Sequence, residues 1–306
     1  MSTSLALDGV FAPATTTFSP DTGELDLDGM RKNAGDWLDT ALGGLVLFGS
    51  TGEGLLLADD ERVRVLEAIR ADHSSSVLLA GTGAESTRRA IELSRSAARA
   101  GADAVLVHPP AYYRPQMSPE VLRSHFTAVA DASPVPLVLY QVPSAYSGIQ
   151  LHADLVAGLS DHPNIIGIKD SSGDVDALRE LVRTCAPSFQ VLVGNGAALL
   201  DALEAGATGG ILGVAVLAPA DSIKVHTLFR SGDGVRSRAT QDRITAVHRE
   251  IVAARGVPGV KAALDLLGMV GGPPRPPLQP LPSGEMESVR ATLVTAGLLD
   301  RSGARP

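Results

Sequence analysis

Short apolar runs rich in valine, leucine and isoleucine recur along the chain, separated by longer segments whose apolar positions repeat every three to four residues. Eight runs read as strands: Val10 to Thr17, Gly44 to Phe48, Val77 to Gly81, Ala104 to His108, Pro136 to Gln141, Ile165 to Lys169, Gln190 to Gly194 and Gly209 to Gly213. Between them, spacings such as Val175, Leu178, Leu181 and Val182, or Leu199, Leu200 and Leu203, put one apolar stripe on a helix, and glycines such as Gly101 and Gly206 end these segments. Strands alternating with helices imply a parallel sheet. Eight such units within about 220 residues imply a closed (β/α)8 barrel rather than an open doubly wound sheet.

After Gly213 the pattern turns helical, with helices expected near Asp221 to Phe229, Val235 to Ala254, Val260 to Leu267 and Glu285 to Ala296. The proline-rich stretch 271–282 must be extended, and Ser283 is placed to cap the helix that follows. Residues 1–220 are therefore assigned to the barrel and 221–306 to a helical extension packed on it as one structural unit, because so few helical residues with so long a connector need a surface to lean on.

Composition narrows the function. The chain has 306 residues and a net charge of −8, which disfavours a nucleic-acid partner held by phosphate neutralisation. An anionic substrate would have to be held locally by backbone N–H groups, hydroxyls or an arginine. Cys185 is the only cysteine, which excludes an intrachain disulfide, favours a reducing, cytoplasmic setting, and is expected on a helix, packed. The seven histidines contain no pair at ligand spacing and the acidic residues no cluster, so no metal is expected. The N-terminus lacks a basic segment followed by a long apolar one, and no uncharged apolar run reaches spanning length, so the expected protein is soluble and off the membrane.

Lys169 is one of four lysines in a chain with 22 arginines, and it ends the apolar run Asn-Ile-Ile-Gly-Ile-Lys. Simple alternation puts it on the same face as Ile165 and Gly167. Burial disfavours an ammonium, and a neutral amine is what a Schiff-base nucleophile requires; the competing reading is a strand-end lysine that carries its head to solvent. In a barrel, functional groups belong at the C-terminal ends of strands and in the following loops. Gly49-Ser50-Thr51-Gly52-Glu53 follows the second strand there: its hydroxyls and N–H groups could take a carboxylate, or it is a tight polar turn. Tyr140 ends the fifth strand, open to proton transfer or to a rim position with its hydroxyl in solvent. All four tyrosines, Tyr112, Tyr113, Tyr140 and Tyr146, fall in two rim loops.

The motifs GSTGE, PAYYRP, YQVP…SG and GIKDSSGD stand in the order and spacing of the dihydrodipicolinate synthase and N-acetylneuraminate lyase superfamily, which the chain resembles over almost its whole length. The resemblance implies a pyruvate-handling class I aldolase or lyase on a (β/α)8 barrel with a helical extension, working without an external cofactor through an imine, and assembling as a dimer or dimer of dimers. Lys169 is then the Schiff-base lysine, Tyr140 the proton-relaying tyrosine, and Ser50 and Thr51 the pair at the carboxylate. Tyr112 resembles the tyrosine lent across a dimer interface, leaving Tyr113 to pack. Gly49, Gly194, Ile211 and Tyr146 join the substrate-contacting set.

Dihydrodipicolinate synthases carry an arginine two residues before the glycine of the tyrosine loop. Here that place holds Tyr146, or Ala145 counted forward from Tyr140, because the loop is one residue longer. Losing that guanidinium removes a charge-assisted contact worth roughly 1.5 to 3 kcal/mol, which disfavours the lysine-pathway condensation. Other stretches, LLLAGTGAEST, SPVPLVLYQVP, LSDHPNIIGIKDSSGDV and GVPGVKAALDLLGMVGGPPRPPLQPL, resemble the 4-hydroxy-2-oxoglutarate aldolase type. That likeness makes Ser171 a candidate for the distal end of the substrate, with the Ser171-Ser172 backbone opening the next helix; an ordinary N-cap is the competing reading. His108 and Arg114 read as surface or packing residues. The expected reaction is reversible cleavage of a 4-hydroxy-2-oxo acid, 4-hydroxy-2-oxoglutarate first, to pyruvate and glyoxylate. Alternatives are a dihydrodipicolinate synthase, a 2-keto-3-deoxy sugar acid aldolase or dehydratase, and, from another class, a non-catalytic regulatory barrel that binds a 2-oxo acid.

Overall fold

A computed structural model describes residues 5–300; the first four residues, part of the N-terminal segment considered above, lie outside them. Eight parallel strands, β1 (Gly9–Pro13), β2 (Gly44–Leu47), β3 (Leu78–Gly81), β4 (Ala104–Val107), β5 (Leu137–Gln141), β6 (Ile165–Asp170), β7 (Gln190–Val193) and β8 (Gly209–Ile211), pair in sequence order, and β8 closes on β1. The (β/α)8 barrel expected from the alternation is thus formed. Because both faces of every strand are covered, the strands read as unbroken apolar runs. Two stop more than one residue short of expectation. β1 stops at Pro13, and β8 at Ile211, since a 3-10 turn starts at Gly213.

The helices are α1 (Leu27–Leu38), α2 (Asp59–Asp72), α3 (Thr87–Arg99), α4 (Pro119–Ala132), α5 (Ser144–Ser147), α6 (Ala153–Ser160), α7 (Val175–Thr184), α8 (Leu199–Glu204), α9 (Pro219–Arg230), α10 (Gly234–Val247), α11 (Ala254–Leu266) and α12 (Met286–Thr295). On α3, Ala90, Leu93, Ser94 and Ala97 face inward at helical spacing while Ser86 caps the first turn by accepting from the Arg89 N–H. Cys185 caps the end of α7, half-buried against the outer core. No described helix is long and apolar enough to cross a membrane, and no group of three potential metal ligands occurs among the described residues.

Two apolar layers result. Phe11, Val46, Leu79, Leu106, Val138 and Leu192 fill the lumen, and alternate strand residues such as Leu45, Val105, Leu139 and Ile168 pack outward on the helices. In β6 the alternation is broken. Leu137 pairs with Ile165 but Val138 pairs with Gly167, so Ile166 is an extra residue that bulges against the lumen. Ile165 therefore packs outward, and Lys169 does not share its face as simple alternation suggested.

The C-terminal segment also departs from a plain helical reading. The helix expected from Val235 to Ala254 passes from α10 into π-helical geometry over His248–Ala253, and α11 then runs on through a break at Gly256 (φ 57°) and Pro258. Ser283 is not a cap: Pro282 precedes a 3-10 turn at Ser283–Glu285, from which α12 continues. The extension meets the barrel through specific bonds. Gln241 of α10 accepts from the Leu200 N–H (3.0 Å) and donates to the Gly196 carbonyl (2.9 Å), and Asn33 of α1 exchanges two bonds with Val270.

A charged strap lies under the proline-rich stretch. Arg275 makes a two-pronged contact with Glu61 (2.5 and 2.7 Å), and Lys261 donates to the Pro273 carbonyl (2.8 Å) and contacts Glu53 (2.7 Å). Side-chain exposure is 1% for Lys261 and 0% for Glu53, so removing either partner alone strands a buried charge at a cost of about 3–5 kcal/mol. The hydrogen bond from Arg275, aided by the Ala58 N–H and opposed by burial, holds the Glu61 carboxyl below its ordinary value. A folded-state value below the unfolded one contributes stability that is full above the unfolded titration and is lost as pH falls through the folded value. Arg275→Met is therefore expected to be destabilised most at neutral pH and to converge on the unsubstituted protein as pH drops from about 5 to about 3, as followed by urea unfolding across that range.

Candidate active site

β5 and β6 end side by side, and their register pairs Tyr140 with Lys169. Both side chains are buried in the lumen, 6% and 5% exposed, with the lysine nitrogen 4.4 Å from the centre of the phenol ring. Burial alone would raise the Tyr140 phenol. The Lys169 charge and hydrogen bonds with Ser50, Ser171 and Lys169 outweigh it and leave the phenol below its ordinary value. The phenol thus faces groups from the ends of β2 and β6.

Ser50 and Thr51 sit in a turn that backbone bonds fold tightly: Gly52 and Gly54 N–H donate to the Gly49 carbonyl (3.1 and 3.2 Å), and Glu53 N–H to the Ser50 carbonyl (3.2 Å). Among the described residues, no acceptor faces the Ser50 and Thr51 N–H groups. A small carboxylate would fill that role without adding positive charge to the wall. The turn is bracketed by the only two non-glycine residues described with positive φ, Phe48 (60°) and Glu53 (55°). Gly52 has no room for a side chain, since a Cβ would lie 2.7 Å from the Ala14 carbonyl oxygen.

On the far side, Gly194 at the end of β7 makes space. A Cβ there would overlap the Ser171 hydroxyl and lie 3.0 Å from Lys169 Cε. Ser171 is held by its N–H on the Gln141 carbonyl (2.9 Å) and is not a helix cap: Asp174 caps α7 by accepting from the Asp176 and Ala177 N–H groups. Nor does the Ser171-Ser172 backbone open that helix. The Ser172 N–H instead donates to Asp170 (2.7 Å), whose carboxyl burial raises. Ile211 lies in the lumen cluster with Tyr140.

A cavity of about 130 Å³ opens above Ser50 and Tyr140, walled by Phe48, Arg62, Glu85, His108 and Tyr146 among others. His108, expected as a surface or packing residue, is half-buried on this wall against Gly83. Arg62 and Glu85 were missed, because in sequence each reads as an exposed residue at the start of a helix. Arg62 donates to the Gly54 and Gly81 carbonyls and lies 5.5 Å from the Phe48 ring, and burial pulls its guanidinium down to about 10. Glu85 accepts from the Ala111 and Tyr112 N–H groups (3.0 and 2.8 Å), fixing the rim loop.

Not every expected residue converges. Tyr112 is 80% exposed and within one chain does not reach Lys169. Tyr113 does not pack: it is 64% exposed, edge-on to Tyr112 at 5.1 Å, because its loop projects from the rim. Tyr146 is exposed on α5, whose loop is pinned at its base by Gln141, which donates to the Val142 and Ile149 carbonyls and accepts from the Leu151 N–H (2.6 Å). Arg114 lies across Gly148 of the same loop, where φ is +64°.

A family model described as the dihydrodipicolinate synthetase family matches residues 6–296. A 4-hydroxy-tetrahydrodipicolinate synthase of Methanothrix thermoacetophila is 38% identical over 286 residues, 93% of this chain and 95% of that protein. A probable mitochondrial 4-hydroxy-2-oxoglutarate aldolase of Emericella nidulans is 36% identical over 274 residues, 88% of each. The crystal structure of the chloride-inhibited dihydrodipicolinate synthase from Acinetobacter baumannii, complexed with pyruvate, superposes with a TM-score of 0.91 at 30% identity, covering 96% of this chain and all (100%) of that one.

The space at Gly194 gives a direct test. Gly194→Ala should push Ser171 and Lys169 out of register with Tyr140 and lower turnover about 100-fold while circular dichroism shows an intact fold. Unchanged turnover would mean that the lysine does not depend on this clearance.

Proposed function

The chain belongs to the dihydrodipicolinate synthetase family and is an enzyme of the lyase type, and on that premise we propose that it cleaves a 4-hydroxy-2-oxo acid, 4-hydroxy-2-oxoglutarate first among them, reversibly to pyruvate and glyoxylate. The observation that carries this reading is the buried Lys169–Tyr140 pair with Ser50 and Ser171 on the same phenol. The Lys169 amine adds to the C2 carbonyl and water leaves, giving an imine whose protonated form is the electron sink. Tyr140 relays the proton of the C4 hydroxyl, accepting it as its own phenolic proton passes to Ser50 and on toward Tyr112; the C3–C4 bond breaks, its electron pair moves toward the iminium nitrogen, and glyoxylate departs. The resulting enamine takes a proton back from the Tyr140 relay at C3, and water releases pyruvate and restores the amine. Ser50 and Thr51, with their unpaired N–H groups, hold the C1 carboxylate through these steps.

The distal half of the substrate sets the choice within the family. Tyr146, or Ala145 counted forward from Tyr140, stands where the synthases carry an arginine, and Ser171 faces the lumen beside Lys169 with a hydroxyl to offer a second carboxylate. The exposure of Tyr112 supports its use by a second copy of the chain, so we propose a homodimer or a dimer of dimers with the relay completed across the interface. A second reading, condensation as in the Methanothrix relative, is favoured by the higher identity to that protein.

Borohydride added with pyruvate should leave one reduced adduct on Lys169; a catalytically active protein with unmodified Lys169 sinks the imine. A coupled lactate dehydrogenase assay should register pyruvate from 4-hydroxy-2-oxoglutarate in preference to 2-keto-3-deoxy acids. No cleavage, with pyruvate consumed alongside the synthase's aldehyde substrate, would favour the second reading, and binding without any turnover a regulatory barrel. Tyr140→Phe is expected to lower kcat about 10²–10⁴-fold while the Lys169 adduct still forms.

A further inference from the structure

Glu53 closes the turn that carries Ser50 and Thr51, yet its side chain points away from the lumen into the C-terminal extension. One carboxylate oxygen lies 2.7 Å from Lys261 Nζ, and the other accepts the Arg275 N–H at 2.7 Å. Lys261 donates to the Pro273 carbonyl, and Arg275 reaches the carbonyls of Leu56 (3.2 Å) and Gly23 (3.3 Å) as well as Glu61. Both cations lie over the Phe18 ring, at 4.5 and 4.2 Å. The network therefore ties residues 53–61 to 273–275 with almost no solvent between them.

Stability does not by itself account for these charges, because apolar residues of the same volume commonly do as well in such positions. Geometry does. Glu53 occupies the left-handed region that a side chain disfavours, and its N–H donates to the Ser50 carbonyl, so the shape of the carboxylate-binding turn depends on holding Glu53 there. At the other end, Phe48 has the same unfavourable φ and is covered by Arg62, which also bonds the Gly54 carbonyl. The turn is gripped from both ends, and only the Glu53 grip comes from the C-terminal extension.

We propose that Glu53, Lys261 and Arg275 are positioning residues through which the C-terminal extension holds the Ser50–Thr51 N–H groups in place for the substrate carboxylate. The proposal rests on the reading that this turn binds the carboxylate of the pyruvate unit. The double variant Glu53→Gln/Lys261→Met removes both charges and leaves neither stranded. It should fold, by circular dichroism and thermal melting, and raise the half-saturating pyruvate concentration for borohydride trapping and the KM for the oxo acid about tenfold, with kcat changed less than about threefold. Trp37→Phe is the control: it removes the buried bond to the Val216 carbonyl (3.0 Å), and should lower the melting temperature without moving KM. If the double variant does not fold, Glu53→Asp, which keeps the charge facing Lys261 but shortens its reach, carries the same readout with a rise of about threefold.

A folded variant with unchanged half-saturation overturns the proposal, as does Trp37→Phe raising KM equally, which would make the effect one of general stability. The two readings separate in the unsubstituted enzyme. No adduct there overturns the imine reading and this proposal with it; an adduct there and unaltered variants overturn this proposal alone.

Discussion

The site depends on one register, the pairing of Tyr140 on β5 with Lys169 on β6. A lysine at the end of an apolar strand has two places to go, and the one-residue bulge at Ile166 decides between them. Without that extra residue, Ile165 would have to turn into the lumen or Lys169 outward among the helices. With it, an amine and a phenol share a space closed by strands on both sides. There the lysine charge and three hydrogen bonds act on the tyrosine with little water to screen them. The barrel thus contributes more than a frame, since its closure makes a single slip in register costly in every neighbouring strand.

What could be read from the sequence follows from what each signal encodes. Strands covered on both faces leave unbroken apolar runs, so the eight strands and the barrel were legible, as were the rim positions of Ser50, Tyr140 and Lys169. The bulge was not, because Ile166 and Ile168 look alike whichever face they take. The π-helical stretch after α10 was hidden for a similar reason: its residues suit an ordinary helix, and the difference lies in how they meet the loops of β7 and β8. Arg62, Glu85 and Lys261 were missed because their partners are backbone groups or residues far away in sequence. A lysine bonded to a glutamate 208 positions earlier, as Lys261 is to Glu53, leaves no local trace. Ser171 lies beside Lys169 at the lumen, while the cap that its position suggested belongs to Asp174, three residues on.

The chain divides its polar groups by the kind of order they need. Tyr140 and Lys169 come from strand ends, where the backbone ladder fixes them. The turn that carries Ser50 and Thr51 is irregular backbone, held by side chains that reach it from α2 and from the C-terminal extension. Rim residues such as Tyr112, Tyr113 and Tyr146 have little holding them within one chain, and their loops are fastened only at the base.

That fastening has a bearing on how such enzymes diversify. The loop after Tyr140 leaves and returns through the same buried Gln141, whose amide clamps both ends of the excursion. A residue gained or lost in the excursion is absorbed at its tip, and the strand that carries Tyr140 does not register the change. The sequence of α5 can therefore drift while the Tyr140–Lys169 pairing stays still, and a designer could graft a different α5 loop onto the Gln141 clamp as one would change the bit in a fixed chuck.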